Sequence, residues 1–155
     1  MATYLTPHFT LEEFIASQTA SRMGIPNVPP CGSWTEDSAE RNNLVRTAEV
    51  MEEVRVLLGN KPVLISSGYR CQAVNEACGG SSTSAHMSGL AVDFTCPGFG
   101  TPLEICNALS QHLYELEVDQ LIHEYEGWVH LGLSGSEARC MCLTINNYGT
   151  QFGFV

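Results

Sequence analysis

A chain of 155 residues, 44% hydrophobic and 15% charged, is long enough for one domain with a core of its own and too apolar for disorder. Seventeen acidic residues against seven Lys and Arg leave a formal charge of −10. That charge repels phosphate backbones and anionic lipid surfaces, which argues against nucleic acid and membrane partners.

The first helix is predicted from Thr10 to about Arg22. Thr10 and Glu13 make a capping box, Phe9 and Phe14 hold the staple positions, and Gly24 stops it. Asn27 to Trp34, rich in proline, reads as loop. A longer helix is expected from about Glu36 to Leu58, with Leu44, Ala48, Met51, Val54 and Leu58 as its buried stripe. Pro62 to Ser66 reads as a short buried strand, turning out through Ser67-Gly68-Tyr69-Arg70. Gln72 to Cys78 reads as a short helix, followed by a polar loop to Ser84 and a strand at Ala91 to Phe94. Thr101-Pro102-Leu103-Glu104 is a second capping box, opening a helix that turns Leu103, Cys106, Leu109, Leu113 and Leu116 inward. Two strands follow, Gln120 to Tyr125 and Trp128 to Leu133, joined by a tight turn at Glu126-Gly127, and a last strand lies near Arg139 to Ile145. This pattern predicts an α+β fold: a single domain over residues 1–155, helices packed on a small antiparallel sheet that carries the site.

No apolar run reaches the roughly 20 residues of a membrane span, and Met1 to Phe14 has no basic n-region or continuous apolar h-region, so no signal peptide is expected. The seven cysteines are an odd number with no CxxC pair, which favours reduced thiols over a structural four-cysteine zinc site.

Two stretches place polar groups where a core does not want them. In Ala91-Val92-Asp93-Phe94, alternation turns Asp93 to one face with Ala91, away from Val92 and Phe94. In Trp128 to Leu133, His130 shares a face with Trp128 and Gly132, while Val129, Leu131 and Leu133 bury on the other. With His86 ahead of the Gly89 turn, two imidazoles and one carboxylate form a ligand set common in catalytic zinc sites. Spacing alone favours hydrogen-bonded core residues over a metal site, since two-histidine-plus-acid sets arise easily.

The pattern Ser84-x-His86-x-x-Gly89-x-Ala91-x-Asp93-Phe94, followed by Trp128-Val129-His130, resembles the zinc signature of the D-alanyl-D-alanine carboxypeptidase and L-alanyl-D-glutamate endopeptidase family. Phe9 to Phe14, Gly24-Ile25-Pro26-Asn27, Ser67 to Arg70, Asn75, Gly79-Gly80 and Asp119 to Glu124 resemble its small single-domain, phage-endolysin-like branch in the same order, over roughly residues 8 to 135. The resemblance implies Zn2+ on His86, Asp93 and His130, and peptidoglycan stem peptides as substrate, with either carboxypeptidase or endopeptidase action. It implies Arg70, Ser84 and Tyr69 at the substrate. Where the wider family places an acid three residues before the last histidine, this chain has Gly127. The base implied is therefore Glu124, with Glu126 as the alternative. If the strands pair across a two-residue turn, His123 faces His130 instead. A monomer is expected, reaching the wall after holin-type release or as part of a phage particle. A non-catalytic zinc-containing wall-binding or virion module of the same fold is the competing expectation.

Overall fold

In the computed structural model, which describes residues 1–155, a two-stranded ribbon opens the chain: β1 (Tyr4–Thr6) pairs antiparallel with β2 (Phe9–Thr10). The capping box follows directly. Glu13 N–H donates to Thr10 Oγ1 at 3.3 Å and Thr10 N–H to the Glu13 carboxylate at 2.8 Å, with the Phe9 and Phe14 rings 6.0 Å apart. The helix expected to continue to Arg22 is instead two, α1 (Leu11–Ile15) and α2 (Gln18–Met23). Ala16 is extended, and Ser17 Oγ accepts from Ala20 N–H at 3.1 Å, so a serine side chain caps a new helix rather than continuing the old one. The break leaves the Phe14 carbonyl free to accept from Tyr69 N–H at 2.7 Å.

The long helix α3 (Ala39–Leu57) starts later than expected because Ser38 caps it, accepting from Arg41 N–H at 3.1 Å. Its stripe of Leu44, Ala48, Met51, Val54 and Leu58 is fully buried, as the periodicity predicts. β3 (Leu64–Ser67) departs from expectation. It is an edge strand of alternating half-buried and exposed residues, and Leu64 is 54% exposed. α4 (Gln72–Ala77), a 3-10 turn at Ala85–Ser88 and β4 (Ala91–Thr95) follow. α5 (Pro102–Leu109) opens on its capping box but yields to a 3-10 turn, Ser110–His112. Ile105 takes the inward place expected of Leu103, which is half-buried, while Cys106, Leu109, Leu113 and Leu116 are buried.

The remaining chain is strand: β5 (Val118–Glu124), β6 (Trp128–Leu133), β7 (Met141–Asn146) and β8 (Gly149–Phe152). The six-stranded sheet runs β3-β4-β6-β5-β7-β8. Its pairings are antiparallel except β5 with β7, which run parallel, and β8 extends the sheet where only a tail was expected. The fold is α+β. Val92, Phe94, Leu121, Val129 and Leu131 bury against α1, α3 and α5 in one continuous core, leaving the opposite face of β4, β5 and β6 to line a cleft. No helix is long and apolar enough to cross a membrane.

Because Leu44 is fully buried in that core, Leu44→Ala should lower unfolding free energy by about 2–5 kcal/mol in urea titrations. An unchanged midpoint would show that the helix does not anchor the core.

Candidate metal centre and active-site cleft

The pairing of β4 with β6 sets Asp93 directly opposite His130, so alternation brings both side chains to the cleft face. His130 Nδ1 lies 2.9 Å from Asp93 Oδ1. His86 arrives from the 3-10 turn at Ala85–Ser88, its Nε2 3.3 Å from the same carboxylate oxygen. The two imidazole rings stand 5.0 Å apart at 65°. All three side chains are nearly removed from water.

Several contacts hold this convergence. His86 Nδ1 lies 2.6 Å from the Gly68 carbonyl, which fixes that nitrogen as the N–H donor and turns a bare Nε2 lone pair toward Asp93. A Cβ on Gly68 would meet the Phe14 carbonyl oxygen at 2.4 Å, so only glycine lets α1 approach so closely. Gly89 closes the turn at a φ of 77°, with no room for a side chain against the Glu40 carbonyl. From α3, Thr47 Oγ1 donates to the Gly89 carbonyl at 2.8 Å and Asn43 Nδ2 to the Ser88 carbonyl at 2.8 Å.

Burial opposes ionisation of Asp93, but the hydrogen bond from His130, with the other groups gathered around the carboxylate, outweighs it and holds the carboxyl well below its usual range. Burial pushes His86 the other way, toward the neutral imidazole, against the pull of Asp93. An ionised carboxylate and a neutral imidazole are the protonation states that metal binding needs. Two acceptors facing each other at 3.3 Å are reconciled by a cation between them. Donor atoms around a tetrahedral zinc with bonds of ~2.0–2.2 Å stand roughly 3.3 Å apart. The ligand atoms of His86, Asp93 and His130 lie within 4.8 Å of one another, so this set fits such an ion with little adjustment.

Around it, Arg70 Nη2 donates to Asp93 Oδ2 at 3.2 Å and Nε to Ser67 Oγ at 3.1 Å. Glu124 pairs with Trp128 across a three-residue loop, so the strand register puts Glu124 on the face of His130, with Oε1 3.9 Å from Nδ1. Burial raises its carboxyl above the ordinary range, and the Asp93 charge adds to that. Glu126 sits exposed in the turn, outside the cleft lining. His123 points to the opposite face, Nδ1 3.1 Å from the Val155 carbonyl, so the two-residue turn that would bring it opposite His130 does not form. Tyr69 is not brought to the cleft either. It is 2% exposed, donates its hydroxyl to the Val28 carbonyl at 3.2 Å, and meets the Trp34 ring edge-on. Ser84 lines the cleft and caps the 3-10 turn, accepting from His86 N–H at 3.3 Å.

The model of the peptidase M15 family matches residues 7–132. The chain belongs to the peptidase M15 family. Over 62 residues it is 32% identical to the zinc D-Ala-D-Ala carboxypeptidase of Streptomyces albus G, a match covering 40% of this chain and 24% of that relative. The match to the M15 family takes in the 3-10 turn that carries His86, the strands β4 and β5, and β6 as far as Gly132, and ends before β7.

Sequence reading missed one cleft residue pair. Arg139 donates from its backbone N–H and Nε to Asp119 Oδ1, both at 2.9 Å, and from Nη2 to Oδ2 at 2.8 Å. The clamp joins β5 to the segment leading into β7 and borders the cleft. Nothing in the spacing of Asp119 and Arg139 signals it, because the parallel β5–β7 pairing creates the proximity.

Two outcomes follow from these contacts. Gly68→Ala should displace the carbonyl that orients His86 and weaken zinc binding about 10–100-fold in chelator competition; unchanged affinity would show that the carbonyl is not needed. Asp119, held by the Arg139 guanidinium below the usual aspartate range, stabilises the fold above its unfolded pKa of ~3.9, and that contribution fades as pH falls toward the folded value. The stability gap between the native chain and Asp119→Asn should therefore be full at neutral pH and shrink below about pH 4 in urea titrations.

Proposed function

We propose that this M15 chain is a zinc-dependent peptidase that hydrolyses peptide bonds in the stem peptides of bacterial peptidoglycan, of D,D-carboxypeptidase or endopeptidase type. The observation that carries the reading is the place of Glu124. It lies on the cleft face, 3.9 Å from His130 Nδ1, beside a two-histidine, one-carboxylate set that fits zinc. The family membership and the zinc D-Ala-D-Ala carboxypeptidase relative support the substrate class.

Zinc held by His86, Asp93 and His130 would supply the Lewis acidity that makes water a nucleophile near neutral pH. Glu124 takes the proton from the attacking water and returns it to the leaving amine. Its place at the end of β5, on the face of His130, suits it to both transfers. Arg70 is held by Ser67 and Asp93 through Nε and Nη2, which leaves Nη1 for the substrate carboxylate or for the oxyanion that forms at the scissile carbonyl. The non-catalytic alternative drew on the missing acid at Gly127, and an acid supplied from β5 weighs against it.

Glu124→Gln should retain zinc yet lower kcat about 10²–10⁴-fold, read as peptides released from purified sacculi by mass spectrometry. Glu126→Gln should stay close to the native rate. Loss of cleavage in the Glu126 variant alone would overturn the choice of base, and bound zinc with no peptides released from several wall types would overturn the reaction.

A further inference from the structure

The cleft does not end at Arg70. The site cleft, of about 910 Å³, meets a second groove of about the same volume, and Arg70 and Cys78 line both. One wall of the second groove is the edge strand β3, through Ile65, Ser66 and Ser67, and the other is α2 with the residues that lead into it. No strand pairs with the outer side of β3, so part of its main chain has no sheet partner there. The facing side chains are short, among them Ala16, Ser17, Thr19 and Ser21, and they leave room beside the strand.

Its charge is also at odds with the rest of the molecule. The chain has seventeen Asp and Glu against seven Lys and Arg, yet this groove is lined by Arg22 and Arg70 and by no acid. A surface of net charge −10 thus keeps one acid-free channel that opens from the proposed reaction centre.

We propose that this groove binds the continuation of the substrate: an extended peptide that passes Arg70, pairs its backbone with the free edge of β3, and sets a carboxylate near Arg22. The four residues of β3 can pair with about four residues of ligand, and edge pairing supplies main-chain hydrogen bonds that tolerate varied side chains. On this proposal, which rests on the peptidase reading above, the enzyme cuts within a chain rather than trimming its end. A terminal-residue carboxypeptidase has no use for a groove beyond the guanidinium that holds the terminus.

The test uses two synthetic peptides with the same D-alanine-containing cleavage segment. One ends in a free carboxylate directly after it, and the other continues for four residues to a terminal carboxylate. The extended peptide should be cleaved with a kcat/KM at least about tenfold higher. Arg22→Glu and Ser21→Trp, which reverse the charge and fill the groove, should remove most of that gain. Independently of hydrolysis, the amide resonances of Ile65, Ser66 and Ser67 in the zinc-free protein should shift with the extended peptide and not with the short one. Equal cleavage of both peptides with no shift at β3 would overturn the groove. Shifts at β3 with neither peptide cleaved would keep the groove and overturn the peptidase reading instead.

Discussion

The carboxylate of Asp93 lies almost wholly out of water and yet gathers three groups from three separate parts of the chain. His130 reaches it from β6, His86 from the 3-10 turn, and Arg70 from the end of β3. A buried charge is tolerated only when its lone pairs are satisfied, and His130 and Arg70 contribute to that by donating to it. The arrangement also ties the sheet to the loops beside it. Remove the carboxylate and Arg70 keeps only its bond to Ser67, while His130 and His86 lose the atom on which they converge. The same oxygen that stabilises the arrangement is the one best placed to face a metal, so structural and chemical demands fall on a single residue.

The framework around that residue is stiff for identifiable reasons. α3 buries a full apolar stripe and, on its other flank, bonds the loops on both sides of the cleft. Thr47 and Asn43 hold the Ser88-Gly89 turn, and Arg46 Nη1 donates to the Ser134 carbonyl at 2.7 Å. One helix therefore fixes the height of His86 above the sheet and the position of the chain as it leaves β6. Asn27 works in the same way at the opposite end. Its Nδ2 donates to the Ile15 and Tyr69 carbonyls, both at 2.9 Å, and its Oδ1 accepts from Cys71 N–H at 2.9 Å. That clamp pins the backbone on each side of Arg70, and a guanidinium held this way loses little freedom when it binds a partner.

Much of this was legible in the sequence wherever the signal is local. Both capping boxes, the stripe of α3 and the alternation that separates Asp93 from Val92 and Phe94 depend on neighbours a few residues away, and they form as read. The break at Ala16 was hidden because Ser17 looks like an ordinary helical residue until its hydroxyl is seen to cap Ala20. Pro62 to Ser66 looked buried because an apolar run does not reveal whether a strand lies at the centre or the edge of a sheet. Within the site, the metal-type cluster followed from strand alternation and ordered resemblance. The place of Glu124 turned on whether two or three residues make the hairpin loop, which short-range patterning does not resolve. Tyr69 was misplaced for a related reason: its neighbour Arg70 faces the cleft, and at a turn adjacent side chains diverge. The Asp119–Arg139 clamp depends on a parallel pairing between distant segments, and no local pattern encodes it.

The hairpin of β7 and β8 lies beyond the part of the chain that matches the M15 family, yet it changes the status of β5. Without it, the strand bearing Glu124 would be the sheet's outer margin, free to fray. With it, Glu124 pairs with Ile145 on one side and Trp128 on the other, and Tyr125 N–H donates to the Ile145 carbonyl at 2.8 Å. Amides along β5 are thereby placed among those that exchange with solvent only through larger openings of the domain. The carboxylate at the end of that strand inherits its immobility from a hairpin that reaches the cleft only at its margin, through Ile145, much as a cantilever is steadied by the length clamped behind its support.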